Sequence, residues 1–329
     1  MNIRQRKIVE IIKREYGIAI FGIEKLFLGF DHNTTVYKIF AKNDKTYFLK
    51  IRFENFTESS LVMPLLISQS INTSKIINVI KTIDGKLFVK VSAQYLMLYP
   101  FINGKSGWDT GLTKEQFVEF GEFMSQLHSV KIPEEYKKII PTEQFDSKYR
   151  KQIKYYLNGT NENAINGDAI VIDFLNTFYK NKNTISKILD RLEEVSNKIN
   201  AKAIDLCLCH GDIHVGNILI EQNKLYIVDW DTIILAPKER DLMFIGGGIG
   251  NKWNKKEDID NFYLGYGNEI KANNILLRYY RLERIIQDIY EFYEQVVNSK
   301  TEEGEKKLCI KYFKEQFEVN NVIDIALAT

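Results

Sequence analysis

Cysteine is scarce in this chain: Cys207, Cys209 and Cys309 are the three it has among 329 residues, and none belongs to a C-x-x-C pair. An odd count with no secretory signal reads as reduced thiols in a cytoplasmic protein and argues against a disulfide framework. Cys207 and Cys209 share one face of a strand-like run and read as small buried apolar side chains rather than metal ligands. No apolar run approaches the ~18 residues of a membrane span. The opening MNIRQRKIVEIIKREYGI is no signal peptide, because its charges interleave with Ile8, Val9, Ile11 and Ile12 in the manner of an amphipathic helix. Neither sign of charge dominates. Forty-five Lys and Arg face 43 Asp and Glu, a formal net charge of +2, which gives no reason to expect nucleic acid as a partner. A G-x-G-x-x-G fingerprint is absent too. The glycine run FIGGGIGNKW, Phe244 to Trp253, is not a P-loop, since Asn251 stands where the second glycine before the lysine belongs. It reads as a loop or helix end. There is no internal repeat, and NGTNENAINGD at 158–168 reads as a surface loop.

What is present is ordinary globular composition, 45% hydrophobic and 27% charged, on a chain long enough for two lobes. After the opening helix come strand-like runs, FGIEKLFLGF, TTVYKIFA and KTYFLKIRF, the last two joined by a turn at AKNDKT. A helix-like segment interrupted by Pro64 follows, then KLFVKV, entered through an Asp84-Gly85 turn, and YLMLYPF. From Thr113, which with Gln116 forms a capping-box signature, the pattern is mostly helical. Strands return at LCLC, NILIE and LYIVDW, the last two joined by a turn at Gln222-Asn223. The expectation is an α+β protein: a small β-rich lobe over residues 1–98, a connector at 99–103 and a larger α-rich lobe over 104–329.

The stretch LCHGDIHVGNILI carries the chemistry. His210-Gly211-Asp212 followed after four residues by Asn217 has the H-x-D-x-x-x-x-N spacing of a kinase catalytic loop, and the next strand ends in Asp229-Trp230-Asp231. Phosphoryl transfer needs one carboxylate to accept the attacking hydroxyl's proton and hard oxygens for the magnesium that neutralises the phosphates. Asp212 fits the first role; Asn217 and Asp229 fit the second, at one edge of a hairpin. His210 reads as a loop-stabilising hydrogen-bonding group, and His214 as a support for the backbone, since magnesium prefers oxygen.

A kinase reading makes demands upstream. Lys50 in YFLKIRF, with Phe48 and Arg52 on the same face, is expected to meet the nucleotide phosphates, and Arg52 competes for that role. Glu58 is expected to hold Lys50; Glu54 is its competitor. The turn GFDHNTTVY should cover the phosphates through Asn33 and Thr34. Along the connector, adenine needs one carbonyl and one N–H. Proline has no N–H, so Tyr99 is expected to give the carbonyl and Phe101 the N–H, with Pro100 between them.

These motifs give the chain a resemblance to the aminoglycoside phosphotransferase and choline-kinase-like family, closest to its spectinomycin phosphotransferase type. It rests on YPFI, CHGDIHVGNILI, VDWDTIILAPKERDLMFIGGGIGNKWN, NFYLGYG, YYRLERIIQDI and YFKEQFEVNNVIDIA, with GFDHNTTVYKI and FLKI as a looser match. The resemblance implies a protein-kinase-like bilobal fold with the nucleotide in the cleft, ATP with GTP left open, Mg2+, and an antibiotic hydroxyl as acceptor. It implies Asp212 as base, Asn217 and Asp229 as metal ligands, Glu239, Trp253 and Tyr266 around the drug, and a structural Asp241. Two departures from protein kinases matter. Gly211 replaces the arginine that senses an activation-loop phosphate, and Asp231 stands where they have glycine. Neither a phosphorylation switch nor a protein substrate is expected. Asp212, Asp231, Glu239 and Asp241 leave a surplus of carboxylates that favours a small cationic, hydroxylated acceptor. The alternative is a metabolic kinase for choline, a sugar or an amino alcohol.

Overall fold

The structure, a computed structural model, describes residues 3–26, 33–42, 44–53, 57–146, 148–159, 168–299 and 301–328. The chain divides into two compact units. The first comprises Met1–Leu112, Ser129–Pro141 and His210–Ile233; the second comprises Thr113–His128, Thr142–Cys209 and Ile234–Thr329.

In the first unit, helix α1 (Ile3–Tyr16) precedes an antiparallel five-stranded sheet of order β1-β2-β3-β5-β4, made of β1 (Ile20–Leu26), β2 (Thr34–Ala41), β3 (Thr46–Phe53), β4 (Val89–Val91) and β5 (Gln94–Pro100). Strand alternation sorts the side chains of β3. Tyr47, Leu49 and Ile51 are buried in one cluster with Ile8, Ile11 and Ile12 of α1, while Phe48, Lys50 and Arg52 take the opposite face. Helix α2 (Ser59–Ser70) supplies Leu61 to a second apolar cluster that includes Met97, the register partner of Lys50. Pro64 does not interrupt α2, as the sequence suggested; the helix continues through it.

A second, three-stranded sheet of order β6-β8-β9 joins β6 (Lys105–Ser106) to the hairpin of β8 (Ile218–Glu221) and β9 (Lys224–Ile227). Gln222 and Asn223 turn the hairpin with φ of 48° and 72°, positive at both central positions as a two-residue type I′ turn requires. Because β8 pairs with β6, and Ile227 donates to Lys75 O at 2.7 Å, the segment His210–Ile233 belongs to the β-rich unit. A single cut at residues 99–103 does not separate the two units.

The second unit is helical. It contains α4 (Lys114–His128), α6 (Lys148–Asn158), α7 (Ala169–Lys180), α8 (Lys182–Ser196), α10 (Lys256–Tyr266), α11 (Asn274–Tyr293), α12 (Glu303–Glu315) and α13 (Val322–Ala328), with shorter α-helical turns at Glu239–Leu242 (α9) in this unit and at Gly107–Thr110 (α3) and Glu134–Lys137 (α5) in the first. The capping box forms: Thr113 N donates to Gln116 Oε1 at 2.9 Å and Gln116 N to Thr113 Oγ1 at 3.3 Å. Helices α4 and α10 cross on two glycines. A Cβ on Gly265 would stand 1.9 Å from Val118 O, and one on Gly121 would stand 2.1 Å from Phe262 O. Strand β7 (Cys207–Cys209) pairs antiparallel with β10 (Ile234–Ala236), a strand the sequence reading did not separate from its surroundings. Most of the loop expected at 158–168 lies outside the described residues.

Candidate active site

The catalytic-loop motif folds on itself. His210 is fully buried; its Nε2–H donates to Val228 O at 3.0 Å, which leaves Nδ1 to accept the N–H of Asp212 at 3.3 Å. Its ring lies 4.6 Å from that of Trp230, and Thr232 Oγ1 donates to its carbonyl at 3.0 Å. This is the loop-stabilising role expected of it. His214 Nδ1 accepts the N–H of Gly216 at 3.0 Å, and its Nε2 lies 3.5 Å from Asp212 Oδ2. The polar groups inside this apolar run are therefore held by one another and by β9.

Asn217 ends a turn of 3₁₀ helix (Val215–Asn217) that runs directly into β8. Its Nδ2 donates to Asp212 O at 2.8 Å, so its amide oxygen stays available as a ligand. Val228 N donates to Asn217 O at 3.0 Å, pairing the two positions across the open end of the hairpin. Asp229 comes next, in the left-handed region at φ 62°, ψ 65°, a conformation that Asp tolerates better than most residues. Asn217 and Asp229 thus share one end of the hairpin, as their spacing predicted.

Lys50 reaches this end from β3. Its Nζ lies 2.9 Å from Asp229 Oδ1 and 2.6 Å from Asp231 Oδ2. Burial alone would disfavour the ammonium, but the two carboxylates reverse that and hold its pKa above the ordinary lysine value. Burial likewise works against ionisation of Asp229; Lys50 outweighs it and keeps the carboxyl below its usual range. For Asp231 burial prevails, backed by the neighbouring Asp229 charge, and its pKa is raised despite Lys50 and Arg52. The Asp229 side chain remains 49% exposed. One half-open carboxylate beside one amide oxygen is a hard-oxygen donor set, which suits magnesium and not zinc.

Several expectations are corrected. Glu58 does not hold Lys50: it stands exposed at the N-cap of α2, and the carboxylates on Lys50 come from Asp229 and Asp231. Its competitor Glu54 lies outside the described residues. Asp231, expected at the acceptor, turns instead to Lys50 and to Arg52 Nη1, the latter at 2.8 Å. The connector is shifted by one residue. Phe101 N–H donates to Thr46 O at 3.2 Å, and Tyr99 is the register partner of Phe48. Antiparallel pairing alternates, so Phe101 and Tyr99 turn their backbone groups to β3 while Leu98 and Pro100 turn theirs away. Leu98 O accordingly accepts Ile80 N at 2.7 Å on that other side. Asn103 N is taken by Glu221 Oε1 at 2.9 Å. By the same alternation the carbonyl of Pro100 turns away from β3, and the N–H of Ile102, next in phase, would follow it. Proline suits that position because only its carbonyl is asked for.

Asn33 and Thr34 flank the expected phosphate-covering turn: Asn33 O accepts Phe53 N at 2.8 Å, and Thr34 pairs with Arg52. Residues 27–32 of that turn lie outside the described residues.

In the second unit, Glu239, Trp253 and Tyr266 are 3%, 4% and 2% exposed. Glu239 Oε1 accepts Asn273 N at 2.8 Å, the Trp253 ring packs on Phe117 and Phe120, and Tyr266 shares a 2.8 Å hydrogen bond with His128 Nδ1. None of the three presents an open face to a drug. Asp241, expected to be structural, is buried with its Oδ2 3.1 Å from His128 Nε2. His128 itself was missed, since an isolated histidine, the second of four, at a helix end carries no motif of its own.

Asp212, Asn217, Asp229 and Lys50 lie in one compact unit, the donor set that phosphoryl transfer asks for. No helix among the described residues is long and apolar enough to cross a membrane. Comparison with known proteins bears on the same residues. Two structures of the spectinomycin phosphotransferase APH(9)-Ia are similar to this chain. One, with ADP and spectinomycin, is 34% identical over 98% of this chain and 97% of its own, at a TM-score of 0.88. The other, bound to AMP, is 34% identical over 98% of both chains at 0.86. An amicoumacin kinase, hAmiN, in complex with AMP-PNP, Ca2+ and Ami, shares the fold at 13% identity over 97% of this chain and 93% of its own, with a TM-score of 0.63. No curated protein sequence matches. Residues 32–269 match the phosphotransferase enzyme family, APH. With the kinase-type site inside that stretch and a 34% identical relative aligned along nearly the whole chain, this protein belongs to the phosphotransferase enzyme family.

Proposed function

We propose that the chain is an ATP- and Mg2+-dependent phosphotransferase that moves the γ-phosphoryl group to a hydroxyl of spectinomycin or a related aminocyclitol, inactivating the antibiotic in the cytoplasm. The observation that carries this reading is Asn217. One side chain holds the catalytic loop through Asp212 O and offers its amide oxygen beside Asp229, which Lys50 keeps ionised. The 34% identity to a spectinomycin phosphotransferase supports the acceptor class.

Asp212 accepts the proton of the acceptor hydroxyl as its oxygen bonds to the γ-phosphorus, and the bond from that phosphorus to the bridging oxygen breaks to release ADP. Lys50 binds phosphate oxygens. Asn217 and Asp229 would hold the cation, which when bound neutralises phosphate charge. Pro100 O and Ile102 N–H take the adenine edge. Residues 1–98 supply the nucleotide-binding sheet, 99–103 the connector and 104–329 the catalytic loop and the acceptor-binding helices, the catalytic loop His210–Ile233 packing within the first compact unit.

The test is ADP release from ATP with spectinomycin, kanamycin, hygromycin or choline as acceptor. Stimulation by spectinomycin alone is expected. Turnover with choline and none with spectinomycin rejects the acceptor, and no turnover with any of them rejects the reading.

A further inference from the structure

Among the described residues, Lys50, Arg52, Asp229 and Asp231 form a set of two cations and two anions. Asp231 Oδ2 is its shared atom, 2.6 Å from Lys50 Nζ and 2.8 Å from Arg52 Nη1. The four side chains differ in openness. Lys50 and Arg52 are 12% and 13% exposed and Asp231 is 23%, against 49% for Asp229. Asp229 is the outer carboxylate, open to a cation; Asp231 is the inner one. Among the described residues, Asp231 is the carboxylate paired with the Arg52 guanidinium, at 2.8 Å from Nη1, and the buried Nε has no hydrogen-bond partner there.

The set rearranges when a nucleotide binds. Two of the three N–H donors of Lys50 are spent on the aspartates, so it can grip phosphate oxygens with more than one only by releasing Asp231. Once Lys50 leaves, Asp231 would stand as a bare inner carboxylate beside a polyanion. An unpaired buried charge of that kind is strongly unfavourable. Arg52 prevents it, because it lies next along the same face of β3 and already holds the same oxygen.

We propose that Arg52 is a positioning residue for nucleotide binding: it is the standing counter-ion of Asp231, which frees Lys50 to exchange from Asp231 to the phosphates. This rests on the phosphotransferase reading above and gives the pair Arg52–Asp231 a role distinct from both phosphate contact and acceptor contact. It also separates Arg52 from its rival role, direct contact with the phosphates. In the counter-ion role Arg52 matters only because Asp231 is there.

The experiment measures ADP binding by calorimetry, with Mg2+ and without acceptor, for wild type, Arg52→Gln, Asp231→Asn and the double variant. ADP affinity is expected to fall about tenfold or more in Arg52→Gln, where Asp231 loses its permanent partner. It should hold or improve in Asp231→Asn, and return to within about threefold of wild type in the double variant, because the interaction between neighbours is non-additive. Arg52→Lys should retain most of the affinity. In steady state the loss should lie in KM for ATP, with KM for the acceptor unmoved. Unchanged affinity in Arg52→Gln overturns the proposal, and so does a double variant as weak as Arg52→Gln, the signature of direct phosphate contact. Should Arg52→Gln fail to fold, the double variant decides alone: near wild-type affinity supports the proposal and a tenfold loss overturns it. These binding readouts need no acceptor, so a wrong acceptor class shows itself separately, as wild-type protein that binds ADP and does not turn over spectinomycin.

Discussion

The side-chain amide of Asn217 donates to the backbone carbonyl of Asp212 at 2.8 Å, five residues back along the chain. In the proposed mechanism one residue therefore couples the position of the base to the position of the cation. Asp212→Ala removes the proton acceptor and should lower kcat by ~10²–10⁴-fold. Asn217→Ala keeps that carboxylate but frees the loop that carries it. Its kcat should fall by ~10²-fold, the usual consequence of a misplaced reacting group, and its Mg2+ requirement should rise. Both are read from ADP release at saturating ATP across a Mg2+ series. An Asn217→Ala enzyme with an unaltered Mg2+ profile would remove it from the cation site.

The connector separates two adjacent residues. Ile102→Pro deletes the outward N–H and should weaken ADP binding by roughly three- to tenfold, the net worth of about 0.5–1.5 kcal/mol for one hydrogen bond, with little change in melting temperature. Phe101→Pro deletes the N–H that Thr46 O accepts, so it should lower the melting temperature. Calorimetry and thermal melting on the two variants distinguish them. A Phe101→Pro protein that melts normally but binds ADP poorly would restore the assignment first read from the sequence.

His128 predicts a pH dependence. Burial alone would favour its neutral form, but the hydrogen bond and charge of Asp241 outweigh burial and raise its pKa above 6.5. A raised pKa in the folded state means that this contribution to stability is complete below pH 6.5 and is lost as pH rises through the folded value. Melting temperature should therefore decline as pH rises above 6.5, and His128→Gln should flatten that part of the profile. Parallel curves for the two proteins would count against the pair.

The crossing of α4 and α10 tolerates nothing larger than glycine. Gly265→Ala would drive its Cβ to 1.9 Å from a backbone oxygen, which no rotamer change relieves. The helices must part, at a cost of about 1–3 kcal/mol or more. Urea unfolding of Gly265→Ala and Gly121→Ala should show the loss in both, with the double variant less than additive because both force apart the same helix pair.

How much of this could be read from the residues follows from distance along the chain. His210, Asp212 and Asn217 lie within eight positions and their spacing carries the geometry. The hairpin was legible as well, down to its Gln222-Asn223 turn, because both strands and the turn are local. The partner of Lys50 was not: Asp229 and Asp231 are 179 and 181 residues away, and a nearby Glu58 was the natural choice. The connector failed on phase. Which of two neighbouring residues faces outward depends on which pair of β3 and β5 is hydrogen-bonded, and a one-residue slip reverses every assignment. The burial of Trp253 and Tyr266 was not legible, because an aromatic ring that binds a ligand and one that fills a core look the same in a sequence.

The hairpin turn offers something to the protein engineer. Gln222 and Asn223 both bear side chains in a backbone region where glycine is at ease, at the end of β8 and β9 remote from Asn217 and Asp229. Replacing Asn223 with glycine would relax that bend by roughly 1 kcal/mol, a gain in robustness placed at the far end of the ribbon, midway along the chain between Asn217 and Asp229.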